Sequence, residues 1–305
     1  MSEFILHHYP MSPFAEKMRA MLGYAQVPWQ SVTSREMPPR PKLARLAGGY
    51  RKIPVAQIGA DIFCDTHLIA SEIAALGNKP DLVLENCSAD VQAFVKTVDV
   101  DIFFACIMAG GSKRLRQKVW QSMSLLDIGR FMWDRINMGR TAAIKMPGPR
   151  ESMPKVLAHL QQLEASIHAD FLFGPQPCHG DFSAYHSLWF VRDLGERSFM
   201  NDYPKVIAWM DRMRAFGHGR FSEISADAAL AQAAAAQPRA VPDDHRQDPL
   251  IGRQVSIAPA DYGRDATDGV LVGSGPQRWI IARQDKELGT VHVHFPRQGF
   301  SLTPR

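Results

Sequence analysis

The run Tyr9-Pro10-Met11-Ser12-Pro13 ends a short apolar stretch and opens a helical pattern, which puts a serine hydroxyl at a helix mouth. Ser12 suits an N-cap, and Pro13 sits where a missing N–H costs nothing. A hydroxyl and free first-turn amides facing one spot can hold an anion. Taken alone, the residue is a cap. Arg51-Lys52 is a basic pair able to receive a carboxylate or simply to face solvent. Pro54, at the start of a strand-like run, is either an edge-strand proline or a cis turn that offers the backbone of Val55 to a ligand. Asp65-Thr66 precedes another helical pattern, where it caps the helix or, with the free N–H groups, binds an anion. His292-x-His294 puts two imidazoles on one strand face, but with no third ligand nearby we expect a solvated face and no metal.

The elements that must position these residues are legible as changes of period. Phe4-Ile5-Leu6 reads as a strand, and Phe14, Met18, Met21 and Leu22 then recur at helical spacing. Residues 27–32 form an edge strand, followed by a Pro-rich loop. Residues 53–58 and 61–64 read as two strands, and Leu68, Ile69, Ile73 and Leu76 as a helix. This order fits a small four-stranded α/β domain over residues 1–80. Residues 88–222 carry helical periodicity, with a nearly all-apolar helix around Phe182 to Val191 at the expected centre of an all-helical bundle. Asp202 is placed to cap a helix that begins at Pro204. Residues 223–247 are an Ala-rich helix and a linker, and residues 248–305 return to short β-like runs, read as a small β-barrel-like module or curled sheet.

The chain has 305 residues with ordinary globular composition, so wholesale disorder, collagen and coiled coil are excluded. A formal net charge of +4 is too modest for a nucleic-acid surface, and Lys113 to Lys118 reads as an exposed helix face. The start lacks a basic leader region, and the most apolar segment, Ile102 to Ala109, falls short of the roughly 18 residues that span a bilayer. Four widely spaced cysteines give no zinc knuckle and no CxxC pair; a cytoplasmic, reducing location is expected. Neither a dinucleotide fingerprint nor a phosphate-cradling loop is present.

Together these segments resemble the glutathione transferase superfamily. Ser12-Pro13-Phe14-Ala15-Glu16-Lys17-Met18-Arg19 is similar to its strand-to-helix segment, where Ser, Cys or Tyr addresses the glutathione sulfur. Tyr50-Arg51-Lys52-Ile53-Pro54-Val55 resembles its element with a cis proline, and Asp65-Thr66 followed by Ile69 resembles the element that holds the γ-glutamyl end. Phe173-Gly174 and Cys178-x-x-Asp181 resemble the capping motif of its helical domain, with Cys in place of Ser or Thr. The resemblance implies a thioredoxin-like domain, an all-helical domain and, usually, a homodimer; it says nothing about the final β module. It implies that Ser12, or alternatively Tyr9, contacts the sulfur, and that Lys52, Pro54, Val55, Asp65, Thr66 and Arg51 hold the tripeptide. Phe14, Phe103, Phe104 and Met108 would line the second-substrate pocket. Glutathione is then a co-substrate with no permanently bound cofactor. The implied reaction is conjugation to a hydrophobic electrophile, as in detoxification, or reduction of an organic peroxide. The alternatives are a non-catalytic binding protein of the same fold and a glutathione-dependent thiol reductase using a cysteine such as Cys64.

Overall fold

The computed structural model describes residues 3–144 and 147–305; Met1 and Ser2, the start of the segment read above for a leader, lie outside it. Strand β1 (Phe4–His8) is buried along its whole length, as a strand flanked on both sides and covered on both faces must be. Helix α1 (Pro13–Ala25), strand β2 (Trp29–Thr33), helix α2 (Pro41–Ala47), the hairpin strands β3 (Val55–Ile58) and β4 (Asp61–Cys64), and helix α3 (Thr66–Gly77) complete a thioredoxin-like unit. In it β1 pairs in parallel with β2 and antiparallel with β3, and β3 pairs antiparallel with β4.

Helix α2 replaces part of the expected Pro-rich loop. It has only seven residues behind a run of prolines, too short to show a repeat, yet it buries Leu43, Leu46 and Ala47. Its last carbonyls are satisfied from far away: Arg283 Nη1 donates to the oxygens of Arg45 and Leu46 at 3.0 and 3.1 Å.

The helical region comprises α4 (Ala89–Thr97), α5 (Phe103–Ala109), α6 (Lys113–Ser122), α7 (Leu125–Thr141), α8 (Pro149–Ser166), α9 (His179–Trp189) and α10 (Pro204–Ala215). Helix α9 is the buried axis, with every residue from His179 to Leu188 inside. Cys178 stands at the N-cap and forms a capping box with Asp181, which makes the shorter bonds of the motif. Its carboxylate accepts from the amides of Cys178 and Leu172 and from the Trp209 indole at 2.8–3.0 Å. Asp202 does not cap α10; that role falls to Glu164 of α8, whose two oxygens accept from the amides of Lys205 and Val206 at 3.0 Å. A carboxylate from the neighbouring helix thus both caps and docks α10. Helix α7 leaves Leu125, Leu126, Met132, Trp133 and Ile136 exposed, Leu126 by 75% and Trp133 by 66%. Among the described residues, no helix is long and apolar enough to cross a membrane.

The β-rich C-terminal region is present, and it continues the first sheet. Strand β5 (Phe221–Glu223) adds in parallel to β2, and helix α11 (Ala226–Ala234) follows. Strands β6 (Gln254–Pro259), β7 (Thr267–Ser274), β8 (Arg278–Asp285) and β9 (Gly289–Pro296) form an antiparallel meander, and β10 (Phe300–Pro304) folds back beside β6. Strand β9 then pairs in parallel with β4, giving one ten-stranded sheet in the order β10-β6-β7-β8-β9-β4-β3-β1-β2-β5. Both edges of the thioredoxin-like unit are therefore covered by later strands, which removes exposed edges that would invite aggregation. The two regions share an apolar core: Leu43, Leu46, Tyr50, Val55 and Ile62 pack with Val255, Ile257, Leu271, Val291, Val293 and Phe295.

Candidate functional site

Strand register brings the separate segments to one end of the sheet. His7 pairs with Val55, and Val55 with Cys64, so the chain leaving β1, the chain entering β3 and the chain leaving β4 emerge together. The first carries Tyr9 and Ser12, the second Arg51, Lys52 and Pro54, the third Asp65 and Thr66.

Ser12 is 3% exposed and caps α1, its Oγ accepting from the Ala15 amide at 3.2 Å. That bond uses a lone pair and leaves the hydroxyl hydrogen to donate. The Glu16 amide is taken by the Ser12 carbonyl at 2.9 Å. The turn itself is tied down by Arg19, which donates to the carbonyls of Pro10 and Tyr9 at 2.9 and 3.4 Å and to Glu16 at 2.7 Å. Burial works against the Glu16 charge, but hydrogen bonds from His218 and the Arg19 guanidinium hold its carboxyl below the usual range. Tyr9 is half-buried; its carbonyl also accepts from the Ser12 amide.

The Ile53–Pro54 bond is cis, and Val55, which follows it, is fully buried between two ladders. Asp65 caps α3 through its Oδ1, which accepts from the His67 amide at 3.0 Å, and its φ of 79° lies in the left-handed region. A non-glycine residue held there costs about 1–3 kcal/mol, a strain characteristic of ligand clamps.

The two basic residues are already engaged. Lys52 Nζ donates to both oxygens of Asp261 at 2.7 and 3.0 Å and lies 4.0 Å from the centre of the Tyr262 ring. Arg51 pairs with Asp134 of α7 and, at 3.5 Å, with Asp265. Asp261, Tyr262 and Asp265 were not among the sequence-derived candidates. They lie some two hundred residues away, and the one signal for them was an acidic and aromatic loop longer than a β-turn needs.

Phe14 of α1 and Phe103 of α5 meet at 4.6 Å between ring centres, Phe103 touches Phe104 at 5.1 Å, and Phe104 meets Tyr262 edge-on at 5.3 Å. His186 of α9 lies against Phe14 at 4.6 Å. Met108 is 47% exposed and stands outside this buried group. Behind it, Lys17 Nζ and His186 Nε2 both bond Asp99, at 2.8 and 3.1 Å. Burial opposes the Asp99 charge, yet Lys17 and His186 hold the carboxyl far below its usual range.

Burial pushes the Cys64 thiol well above its ordinary value, the reverse of what a reactive thiolate needs. His294 is buried, bonded to Asp61 at 2.8 Å and stacked on Phe63, so it ties β9 to β4. Among the described residues, no three His, Cys, Asp or Glu side chains group as metal ligands.

The glutathione S-transferase N-terminal domain family matches residues 6–80, and the glutathione S-transferase C-terminal domain family matches residues 127–215. A solved glutathione S-transferase-like protein from Pseudomonas syringae is 35% identical, covering 100% of both chains with a TM-score of 0.77. A glutathione S-transferase from Sinorhizobium meliloti is 19% identical with a TM-score of 0.50, covering 70% of this chain and 89% of its own. No curated protein matches the chain. The Pseudomonas syringae likeness includes the C-terminal strands, whereas the Sinorhizobium meliloti one spans only part of this chain.

Proposed function

Because the chain belongs to the glutathione S-transferase superfamily, we propose that it binds glutathione where the chains leave β1 and β4 and activates its thiol at the mouth of α1. The observation that carries this reading is Ser12, buried at a helix N-terminus with its hydroxyl hydrogen still to give. A thiol near the cysteine value of about 8.5 is mostly protonated at neutral pH, and lowering it by one to two units requires roughly 1.4–2.7 kcal/mol of preference for the anion. A hydroxyl donor and a helix terminus supply energies of that order.

Thr66 and the opening amides of α3 would receive the γ-glutamyl carboxylate and Asp65 its ammonium, while Lys52, aided by Arg51, would receive the glycyl carboxylate. Phe14, Phe103 and Phe104 would wall the second substrate. The thiolate attacks an electrophilic carbon, forming a C–S bond as the leaving group departs with its electron pair. With an organic peroxide it attacks the O–O bond; the alkoxide leaves and is protonated to an alcohol, and the resulting sulfenic acid condenses with a second glutathione to disulfide and water. Holding both reactants in place supplies the rest of the rate. A cytoplasmic detoxifying role and a homodimer belong to the same proposal. The exposed apolar stripe of α7 supports self-association; light scattering is expected to return twice the chain mass, and a single-chain mass overturns the dimer.

The test of the chemistry is Ser12→Ala. Turnover with an activated aryl halide should fall about 10- to 100-fold, with retention on immobilised glutathione kept, because the thiolate loses its donor and the tripeptide keeps its other contacts. Unchanged turnover removes Ser12 from the chemistry. A protein that neither retains glutathione nor turns over electrophiles is a binding protein on this scaffold, a reading that the prior engagement of Lys52 favours.

A further inference from the structure

The segment between β6 and β7, residues 260–266, leaves the sheet and lies across the face where Arg51 and Lys52 sit. Its contacts are specific. Asp261 takes the Lys52 ammonium, Asp265 takes Arg51, and Tyr262 fills the space between Lys52 and Phe104. Gly263, at φ +60°, lies against the Arg51 and Lys52 stems, where an added Cβ would stand 3.3 Å from Arg51 carbons. A Cβ on Gly49 would collide with the Ala266 carbonyl, and the Ala143 amide donates to the Asp261 carbonyl at 2.7 Å. The loop is thus seated against the thioredoxin-like unit on one side and the end of the α7 segment on the other.

We propose that this loop is a movable wall of the glutathione site, and that Asp261 holds the cation which the glycyl carboxylate takes when the tripeptide enters. The inference rests on the site reading given above and adds to it a residue that sets affinity. Lys52 is only 14% exposed, so an unpaired ammonium there would be costly. Exchange of one carboxylate for another spares that cost, because the ammonium is paired before and after entry. Meanwhile the tethered carboxylate competes at the effective concentration of an attached group, and the apparent affinity is the intrinsic one multiplied by the fraction of molecules whose wall is open. The Ile257–Thr267 pairing that closes the β6–β7 ladder fixes the roots of the loop, so only the tip need swing. Tyr262 moves with it, which couples arrival of the tripeptide to the width of the aromatic pocket beside Phe104.

The experiment is calorimetric titration of the full chain and its Asp261→Asn and Asp261→Ala variants with glutathione and with its glycyl carboxamide. Both variants should bind glutathione about fivefold more tightly, the factor for a partly exposed ion pair, while the carboxamide, which cannot claim Lys52 by charge, changes less than twofold. Addition of glutathione to the native chain should speed hydrogen exchange in residues 260–266. Equal or weaker glutathione binding by both variants, with the native chain binding well, overturns the movable wall and leaves the glutathione site standing. Absence of glutathione binding by all three proteins overturns both.

Discussion

A histidine buried without a compensating charge is a proton acceptor that folding has switched off. Burial lowers His7 to about 4, against the hydrogen bond it donates to Gln57, and burial with Arg19 alongside lowers His8 to about 3. Burial alone lowers His159 to about 4, and burial with Lys17 nearby lowers His179 to about 3. In each case the unfolded chain, titrating near 6.5, binds the proton first. Stability is therefore full above about pH 6.5 and declines as pH falls towards 4, by on the order of 1–3 kcal/mol per histidine. The depressed carboxyls of Asp99, Asp61 and Glu16 add to the loss only below about pH 4. Urea midpoints measured at pH 7.5, 6, 5 and 4 should drop mainly between 6.5 and 4; a flat series over that range contradicts the buried neutral imidazoles. His7 and His8 lie on the strand that leads into Ser12, so the activity proposed for Ser12 is expected to fall at mild acidity in step with this loosening.

Among the elements, helix α10 shows how a cap can come from outside its own segment. Glu164→Ala strips two first-turn amides of their acceptor and is expected to cost about 0.5–2 kcal/mol, read as a lower urea midpoint with an unchanged slope. The sequence pointed to Asp202 because caps are sought next to the helix they serve, and forty intervening residues hide Glu164 from any local rule. The same limit explains what else was and was not legible. Ser12 before Pro13, Asp65 before Thr66 and the apolar α9 announce themselves through local stereochemistry and period. Helix α2 is too short to show a period, and two of its last carbonyls are met by an arginine on β8. Asp261 and Tyr262 matter only through the register that carries their loop to Lys52.

At the scale of the whole molecule, the sheet is assembled from both ends of the chain. Arg239 and Arg278 converge on Glu72 of α3 at 2.9–3.0 Å, and Asp61 of β4 takes both His294 and the Arg239 amide at 2.8 Å. These bonds pin the 235–247 connection and β9 to the edge of the first domain. In this chain the apolar cluster of Ile62, Cys64 and Tyr50 is completed only when Val293, Phe295 and Phe300 arrive. During synthesis, then, the thioredoxin-like unit must wait with its β4 flank unsealed until β9, more than two hundred residues further along, has been made. Strand β9, rather than the unit's own strands, decides when that flank becomes safe from neighbouring chains.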